Sequence, residues 1–286
     1  MAMKKNEIIE NVKIALHEDI GSGDVTADLV DAHTIAEATL TCRDNAVLCG
    51  IDWFNEVFHQ IDDSFGVDEH IDIKWQASDG DNIKHNQVVC TLKGPVRSIL
   101  MGERTAINFL QTLSAVSTNV AAFVDRIKNA KTKILDTRKT LPGLRYAQKY
   151  AVKIGGGINH RHGLYDEILI KENHLLASSS IEATVKKAKE KKLPITIEVE
   201  DLKQLEIALE TDVDRILLDN FSPPNICKAV AMAKGSIKLE ASGNTTINNV
   251  HSIAGTGVDY ISVGALTKNI EAIDFSMLVD LVYISR

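Results

Sequence analysis

From residue 132 onward the chain repeats one device: a short apolar run that ends in a polar or small residue. The runs are TKILDT, EILIKE, ITIEVE, DRILLDN, SIKLEASG and DYISVGA. Helical stretches separate most of them, such as SIEATVKKAKEKK, DLKQLEIALET and PPNICKAVAMAK. The last four runs end near Glu200, Asp219, Glu240 and Val263, at spacings of 19 to 23 residues. Strand, helix, strand at this period makes right-handed βα units, because parallel neighbours need a crossover. A full eight-unit barrel takes about 250 residues, more than this part of the chain has. The spacing predicts an incomplete parallel α/β barrel of six or seven strands, with an open sheet as the alternative.

The upstream part has a different texture. NEIIENVKIALHEDI reads as an amphipathic helix, AEATLTCRDNAVLCG as strands around a turn at Asp44-Asn45, and IDWFNEVFHQI as a helix. HIDIKWQASDGDNIKHNQVVCTLKGPV alternates and carries turn signals at Asp79-Gly80 and Gly94-Pro95. This predicts an α+β unit whose sheet needs a cover on one face. The uncharged run Thr105 to Val124 reaches membrane-spanning length, but eight of its side chains are Thr, Ser, Asn or Gln. With apolar residues near helical spacing, it predicts a long buried helix joining two domains. The expected division is an N-terminal α/β domain over 1–114 and a barrel over 115–269. The tail 270–286 is expected to pack back on the first.

Charge is unevenly placed. The chain carries −7, yet from Asp136 to His174 seven Lys and Arg face four acids, beside Gly155-Gly156-Gly157 and His160, His162 and His174. An acidic protein with one cationic patch is not built for nucleic acid or an acidic membrane surface. It is built for a small anion. Cys42, Cys49, Cys90 and Cys227 form no CxxC pair, which predicts reduced structural thiols in the cytosol. The N-terminal residues hold no long apolar segment of the secretory type.

In a parallel barrel the strand ends share one rim, where ligands bind. The residues at those ends are Thr137-Arg138-Lys139, Lys171, Glu200, Asp219, Glu240 with Ser242-Gly243, and Gly264. Arginine forks match planar carboxylates, and lysine offers a point charge suited to phosphate. The loops ASGN (Ala241 to Asn244) and SVGA (Ser262 to Ala265) can present bare N–H groups to an anion. Asp136 and Glu198 point either into the barrel or into the helix layer, as buried structural acids or as catalytic ones. Arg145, Lys149 and Lys153 are spaced by four, as on one helix face, with a solvated face as the plain alternative.

DTRKTLPGLR, QKYAV, GGGINHRHGLYDEILIKENH, IEVE, LLDN, EASGN and ISVGALT, with EDIGSGDVT, DGD and GERTAINFLQTLS upstream, resemble the quinolinate phosphoribosyltransferase family over nearly the whole chain. The resemblance implies an N-terminal α/β sandwich followed by an incomplete α/β barrel. It implies a transfer of phosphoribosyl from phosphoribosyl pyrophosphate to quinolinate, releasing CO2 and pyrophosphate, with Mg²⁺ as cofactor. Arg138, His160, Arg161 and Lys171 would surround quinolinate, and Thr137 is also expected to bind substrate. Arg104 would arrive from the partner in a homodimer or higher oligomer. Lys139 would meet the pyrophosphate. Glu200 and Asp219 would face the ribose and the Mg²⁺ through water. Ser242, Gly243, Asn244, Ser262, Val263 and Gly264 would hold the 5′-phosphate. Lys139, Lys171, Glu200 and Asp219 are the expected catalytic set. His162 receives no role. Ala115 and Ser117 stand where relatives often have Gly and Ala, which implies altered packing in the long helix. A Lys171 Schiff-base lyase, a non-catalytic quinolinate sensor, and a phosphoribosyltransferase for another aromatic acid are the competing readings.

Overall fold

The structure is a computed structural model that describes residues 5–31, 33–65, 70–172, 174 and 180–282. Asn173, within the quoted IKENH stretch, and the last four residues of the tail lie outside the described residues. The chain divides into two compact units: residues 1–118 with 142–155 and 270–286, and residues 119–141 with 156–269.

The first unit is built on a four-stranded antiparallel sheet. Its strands are β1 (Ile35–Cys42), β3 (Asp72–Trp75), β5 (Gln87–Pro95) and the C-terminal β12 (Phe275–Leu281), in the order β12-β1-β5-β3. A two-stranded pair, β2 (Ala46–Val47) with β4 (Asn82–Ile83), lies beside it in sequence. In β1 the period-2 pattern is clean: Ala36, Ala38, Leu40 and Cys42 are buried, while Glu37 is exposed. The tail pairs with β1 from Ala36↔Leu281 to Cys42↔Phe275, so it extends the sheet as an edge strand.

Helices α1 (Lys5–Ile20), α2 (Ile51–Phe65) and the first part of α3 (Val96–Arg126) belong to the same unit. On α2, Trp53, Phe54, Val57, Phe58 and Ile61 are buried at helical spacing. Burying each such side chain contributes about 1.5–3 kcal/mol. A Cβ at Gly102 would fall 2.5 Å from Phe58 Cε1, so α3 approaches α2 closely only because that position is bare. By length and composition α3 could cross a membrane. Here Leu110, Leu113, Val116 and Val120 are core residues of the protein. Ser117 is buried too, and its hydroxyl donates to the Val47 carbonyl at 2.7 Å.

Helix α4 (Arg145–Ile154) also belongs to the first unit, although it lies between two strands of the second in sequence. Its Tyr150 hydroxyl donates to Asp79 at 2.8 Å, and the other Asp79 oxygen accepts the Gly50 and Ile51 N–H groups at the start of α2. A solvated Arg145/Lys149/Lys153 face is not what forms: Lys149 is fully buried with Ala147, Gln148, Ala151 and Val152, while Lys153 is exposed. Spacing by four identifies a face and says nothing about what packs on it.

The second unit is a six-stranded parallel sheet. The strands are β6 (Lys133–Leu135), β7 (Ile168–Ile170), β8 (Ile195–Val199), β9 (Arg215–Asp219), β10 (Lys238–Ser242) and β11 (Tyr260–Ser262). They run in the order β6-β11-β10-β9-β8-β7. Each of the six apolar runs forms one of them. The barrel is incomplete: β6 and β7 do not pair, and Ile158 makes a single parallel bridge to Leu135 on the far side of β6. The intervening helices include α5 (Ile181–Lys189), α6 (Leu202–Leu209), α7 (Pro223–Ala233) and α8 (Val250–Ala254), with the single turn α9 (Ala265–Lys268) after β11. The Asp201 carboxylate caps α6 by accepting the Lys203 and Gln204 N–H groups at 2.8 Å.

Candidate active site

The ends of the six parallel strands surround a cavity of about 720 Å³. Its wall takes alternate residues of each strand and the residue beyond: Leu169 and Lys171, Leu217 and Asp219, Glu240 and Ser242. That is the pleat at work, since successive side chains point to opposite faces. Thr137, Arg138, Lys139, His160, Arg161, Lys171, Asp219, Ser242, Gly243, Asn244, Ser262, Val263 and Gly264 all line this one cavity. Arg104 and Glu200 do not. Arg104 is exposed on α3 of the first unit, and Glu200 is exposed just past the end of β8.

The loop after β6 carries the cations. Thr137 Oγ1 accepts the Lys139 N–H at 3.1 Å, and the Thr267 hydroxyl of α9 donates to the Lys139 carbonyl at 2.8 Å. These bonds fix the backbone from which Arg138 and Lys139 project. Asp136, fully buried, ties this loop to the next wall: Oδ1 accepts the His160 N–H at 2.8 Å and Oδ2 the Asn159 amide at 2.6 Å. Asp136 is thus a structural acid, and Glu198 faces the cavity.

Burial, then the neighbouring Arg138 guanidinium, lowers the Arg161 pKa from its ordinary value, against the pull of Glu167 and Asp166. Two guanidiniums held close enough to repel form a wall that an anion with two carboxylates would relieve. Lys171 Nζ meets Glu198 Oε2 at 2.8 Å. His162 presents its backbone N–H to Asp166 at 2.7 Å, and Gly163 does the same at 2.9 Å. Burial works to raise the Asp166 carboxyl, but these donors outweigh it and hold it below its ordinary value. The His162 backbone therefore closes a turn.

The opposite chemistry gathers near Asp219. Asn220, with φ of 55°, donates from its amide to Asp219 at 2.9 Å, and its backbone N–H reaches the Ser242 carbonyl at 2.8 Å. Asn244 donates to Asn220 Oδ1 at 3.4 Å. Asn220 thus couples the β9 end to the ASGN loop. Nothing in the single sequence beyond its position in LLDN marks it. Repulsion from Glu172, some loss of hydration, and repulsion from Asp219, Glu198 and Asp201 raise the Glu200 carboxyl above its ordinary value.

Residues 24–114 match the N-terminal domain of quinolinate phosphoribosyl transferase, and residues 116–278 match its C-terminal domain. The chain belongs to the quinolinate phosphoribosyltransferase family. It is 39% identical over 277 residues to a nicotinate-nucleotide pyrophosphorylase [carboxylating] of Mycobacterium leprae (strain TN), covering 94% of this chain and 95% of that protein. A probable enzyme of the same name from Bacillus subtilis (strain 168) is 38% identical over 267 residues, covering 92% and 90%. A solved nicotinate-nucleotide pyrophosphorylase from Francisella tularensis superposes with a TM-score of 0.92 at 45% identity, covering 96% of this chain and 97% of that one.

One part of the site is not legible in the sequence. Below the rim, Glu167, Thr196, Arg215 and Glu240 form a polar floor. Burial alone would raise the Glu240 carboxyl, but His160, Arg215 and the Ser262 hydroxyl outweigh it and hold it below its ordinary value. The available signal was parity: Arg215 shares the strand face of Leu217 and Asp219.

Proposed function

We propose that this chain is a quinolinate phosphoribosyltransferase that decarboxylates its product. It transfers phosphoribosyl from phosphoribosyl pyrophosphate to quinolinate and yields nicotinate mononucleotide, pyrophosphate and CO2, in NAD biosynthesis. The observation that carries this reading is the Arg138–Arg161 wall in the same cavity as Lys139 and the loops at Gly243 and Gly264. A flat pyridine with two adjacent carboxylates suits the first, and a phosphorylated sugar suits the second.

Arg138, Arg161 and Lys171 bind the two carboxylates, and Arg forks orient the ring. His160 supports this wall. Lys139 stabilises negative charge on the departing pyrophosphate. Asp219 faces the ribose hydroxyls, and the backbone around Ser242, Gly243, Asn244, Ser262, Val263 and Gly264 holds the 5′-phosphate. As the C1–O bond to pyrophosphate breaks, the pyridine nitrogen forms the new bond to C1. The ring nitrogen then carries positive charge. The bond from C2 to its carboxylate breaks, CO2 leaves, and the electron pair at C2 takes a proton from water.

Among the described residues no cluster of three or more His, Cys, Asp or Glu is arranged to hold a metal unaided. Asp219 in the cavity and Glu200 just beyond its lining would hold a hydrated cation, since carboxylates suit Mg²⁺ and it keeps part of its water. When bound, Mg²⁺ neutralises charge on the leaving group. A Lys171 Schiff base is disfavoured because it leaves the Arg138 and Arg161 pair in the same cavity without a use. The enzyme works as a homodimer in the cytoplasm, with Arg104 completing the partner's site.

Carboxyl-labelled quinolinate, phosphoribosyl pyrophosphate and Mg²⁺ test the reading. Release of labelled CO2, with no product from nicotinate, supports it; binding without CO2 release overturns it.

A further inference from the structure

Arg215 opens β9, beneath the cavity and outside its lining. Its side chain is 16% exposed. Each nitrogen of its fork meets a group from another part of the sheet. Nη2 meets Glu167 Oε1 at 2.8 Å, Nη1 meets Glu240 Oε2 at 3.2 Å, and Nε donates to Thr196 Oγ1 at 3.2 Å. The guanidinium also sits 5.6 Å from the centre of the Tyr260 ring.

Both acids lead to the anion wall. Glu167 offers its backbone carbonyl to Arg161 Nη1 at 3.3 Å, and its Oε2 lies 3.8 Å from His160 Nδ1. Glu240 Oε2 lies 3.3 Å from His160 Nε2. His160 Nδ1 accepts the Arg161 backbone N–H at 2.7 Å. An Nδ1 that accepts leaves the ring proton on Nε2, facing Glu240. The Arg161 backbone thus hangs from His160, and its guanidinium hangs from Glu167.

We propose that Arg215 is the positioning residue for Arg161 and His160 in binding the dicarboxylate; this rests on the quinolinate reading above. One cation fixes two carboxylates, those carboxylates fix the imidazole and the Glu167 backbone, and these aim Arg161. Lysine supplies the charge but not the fork, so it cannot hold both acids and Thr196 together.

The test uses the full-length protein with quinolinate, phosphoribosyl pyrophosphate and Mg²⁺, comparing wild type, Arg215→Lys and Arg215→Met. The Met variant leaves two buried carboxylates without their cation and can fail to fold. Arg215→Lys, checked by thermal unfolding, is therefore the deciding variant. The expected result is a KM for quinolinate raised about 10-fold or more, with the KM for phosphoribosyl pyrophosphate within about 2-fold of wild type. If Arg215→Met folds, it shows a larger rise, and the Lys variant counts as partial rescue. A fall in kcat alone, matching the fraction unfolded, overturns the proposal, as does an equal rise in both KM values. Wild-type protein without quinolinate turnover overturns the functional reading instead.

Discussion

Lys139 lies across the bare backbone of Gly264. A Cβ built there would fall 2.8 Å from Lys139 Cδ and 3.6 Å from Thr137 Oγ1. The backbone at Gly264 has φ of −66°, which any residue adopts, so the missing side chain matters for space alone. Gly264→Ala has an inexpensive escape, because the flexible Lys139 stem can swing away. The melting temperature should stay within about 2 °C of wild type, since no buried group loses a partner. The KM for phosphoribosyl pyrophosphate should rise about 10-fold as Lys139 leaves its position. Steady-state kinetics beside a thermal melt would separate the two.

Gly243 is bare for two reasons at once. Its φ is 103°, and a Cβ would fall 2.1 Å from Asn220 Oδ1 and 3.1 Å from Asn220 Cα. Gly243→Ala therefore stores backbone strain of about 1–3 kcal/mol and pushes Asn220 away from Asp219. Both stability and the affinity for phosphoribosyl pyrophosphate should fall, unlike the Gly264 case. A melt unchanged from wild type would count against the assigned backbone.

How much of this could be read from the letters depends on which physics wrote them. Parallel strands buried on both faces appear as short apolar runs, so β6 to β11 were visible as runs and as a period. The polar residues ending those runs were visible too, because they interrupt the apolar pattern. Arg215, Glu167 and Thr196 were not: Glu167 precedes β7, Thr196 is the second residue of β8 and Arg215 opens β9, where a polar residue reads as the flank of a strand. Their meeting depends on strand order, and β7, β8, β9 and β10 bring residues 167, 196, 215 and 240 together only after the sheet forms. Lys149, which the spacing leaves open between a packed and a solvated face, is undecided by sequence for a similar reason. Its burial depends on what α4 packs against, and no local pattern encodes that.

Arg104 is exposed on α3 and absent from the cavity lining. If it completes the site of a partner, Arg104→Ala and Lys139→Ala should each be inactive. Mixed under conditions that exchange subunits, they should regain about a quarter of wild-type activity, because half the dimers are hybrids with one intact site. No recovery, with hybrid dimers demonstrated by mass, would reject the shared site.

The Glu200 carboxyl is raised first by Glu172, then by lost hydration, Asp219, Glu198 and Asp201. A raised carboxyl keeps its proton to higher pH, so a cation that needs the carboxylate is lost earlier as pH falls. Glu172→Gln removes the largest cause and lowers the Glu200 pKa toward its ordinary value. The acid limb of Mg²⁺ affinity should therefore move to lower pH in that variant. Titrating activity with Mg²⁺ at several acidic pH values would show it; an unmoved limb would remove Glu200 from the cation site.

Asp136 is fully buried and accepts two hydrogen bonds from one short segment, the Asn159 amide and the His160 N–H. Asp136→Asn keeps the shape but replaces one acceptor oxygen by a donor. Whichever way the amide turns, either the His160 N–H loses its acceptor or the Asn159 amide must flip to present its oxygen. An unsatisfied buried group of this kind costs about 1–3 kcal/mol. Because the segment carries His160 and Arg161 into the cavity wall, the same change should also raise the KM for quinolinate. It should leave Lys139 in place, since the Thr137 and Thr267 bonds that hold its loop are untouched. The KM for phosphoribosyl pyrophosphate should therefore stay near wild type. A variant that weakened both substrates equally would mean that Asp136 supports the rim as a whole and not the dicarboxylate wall.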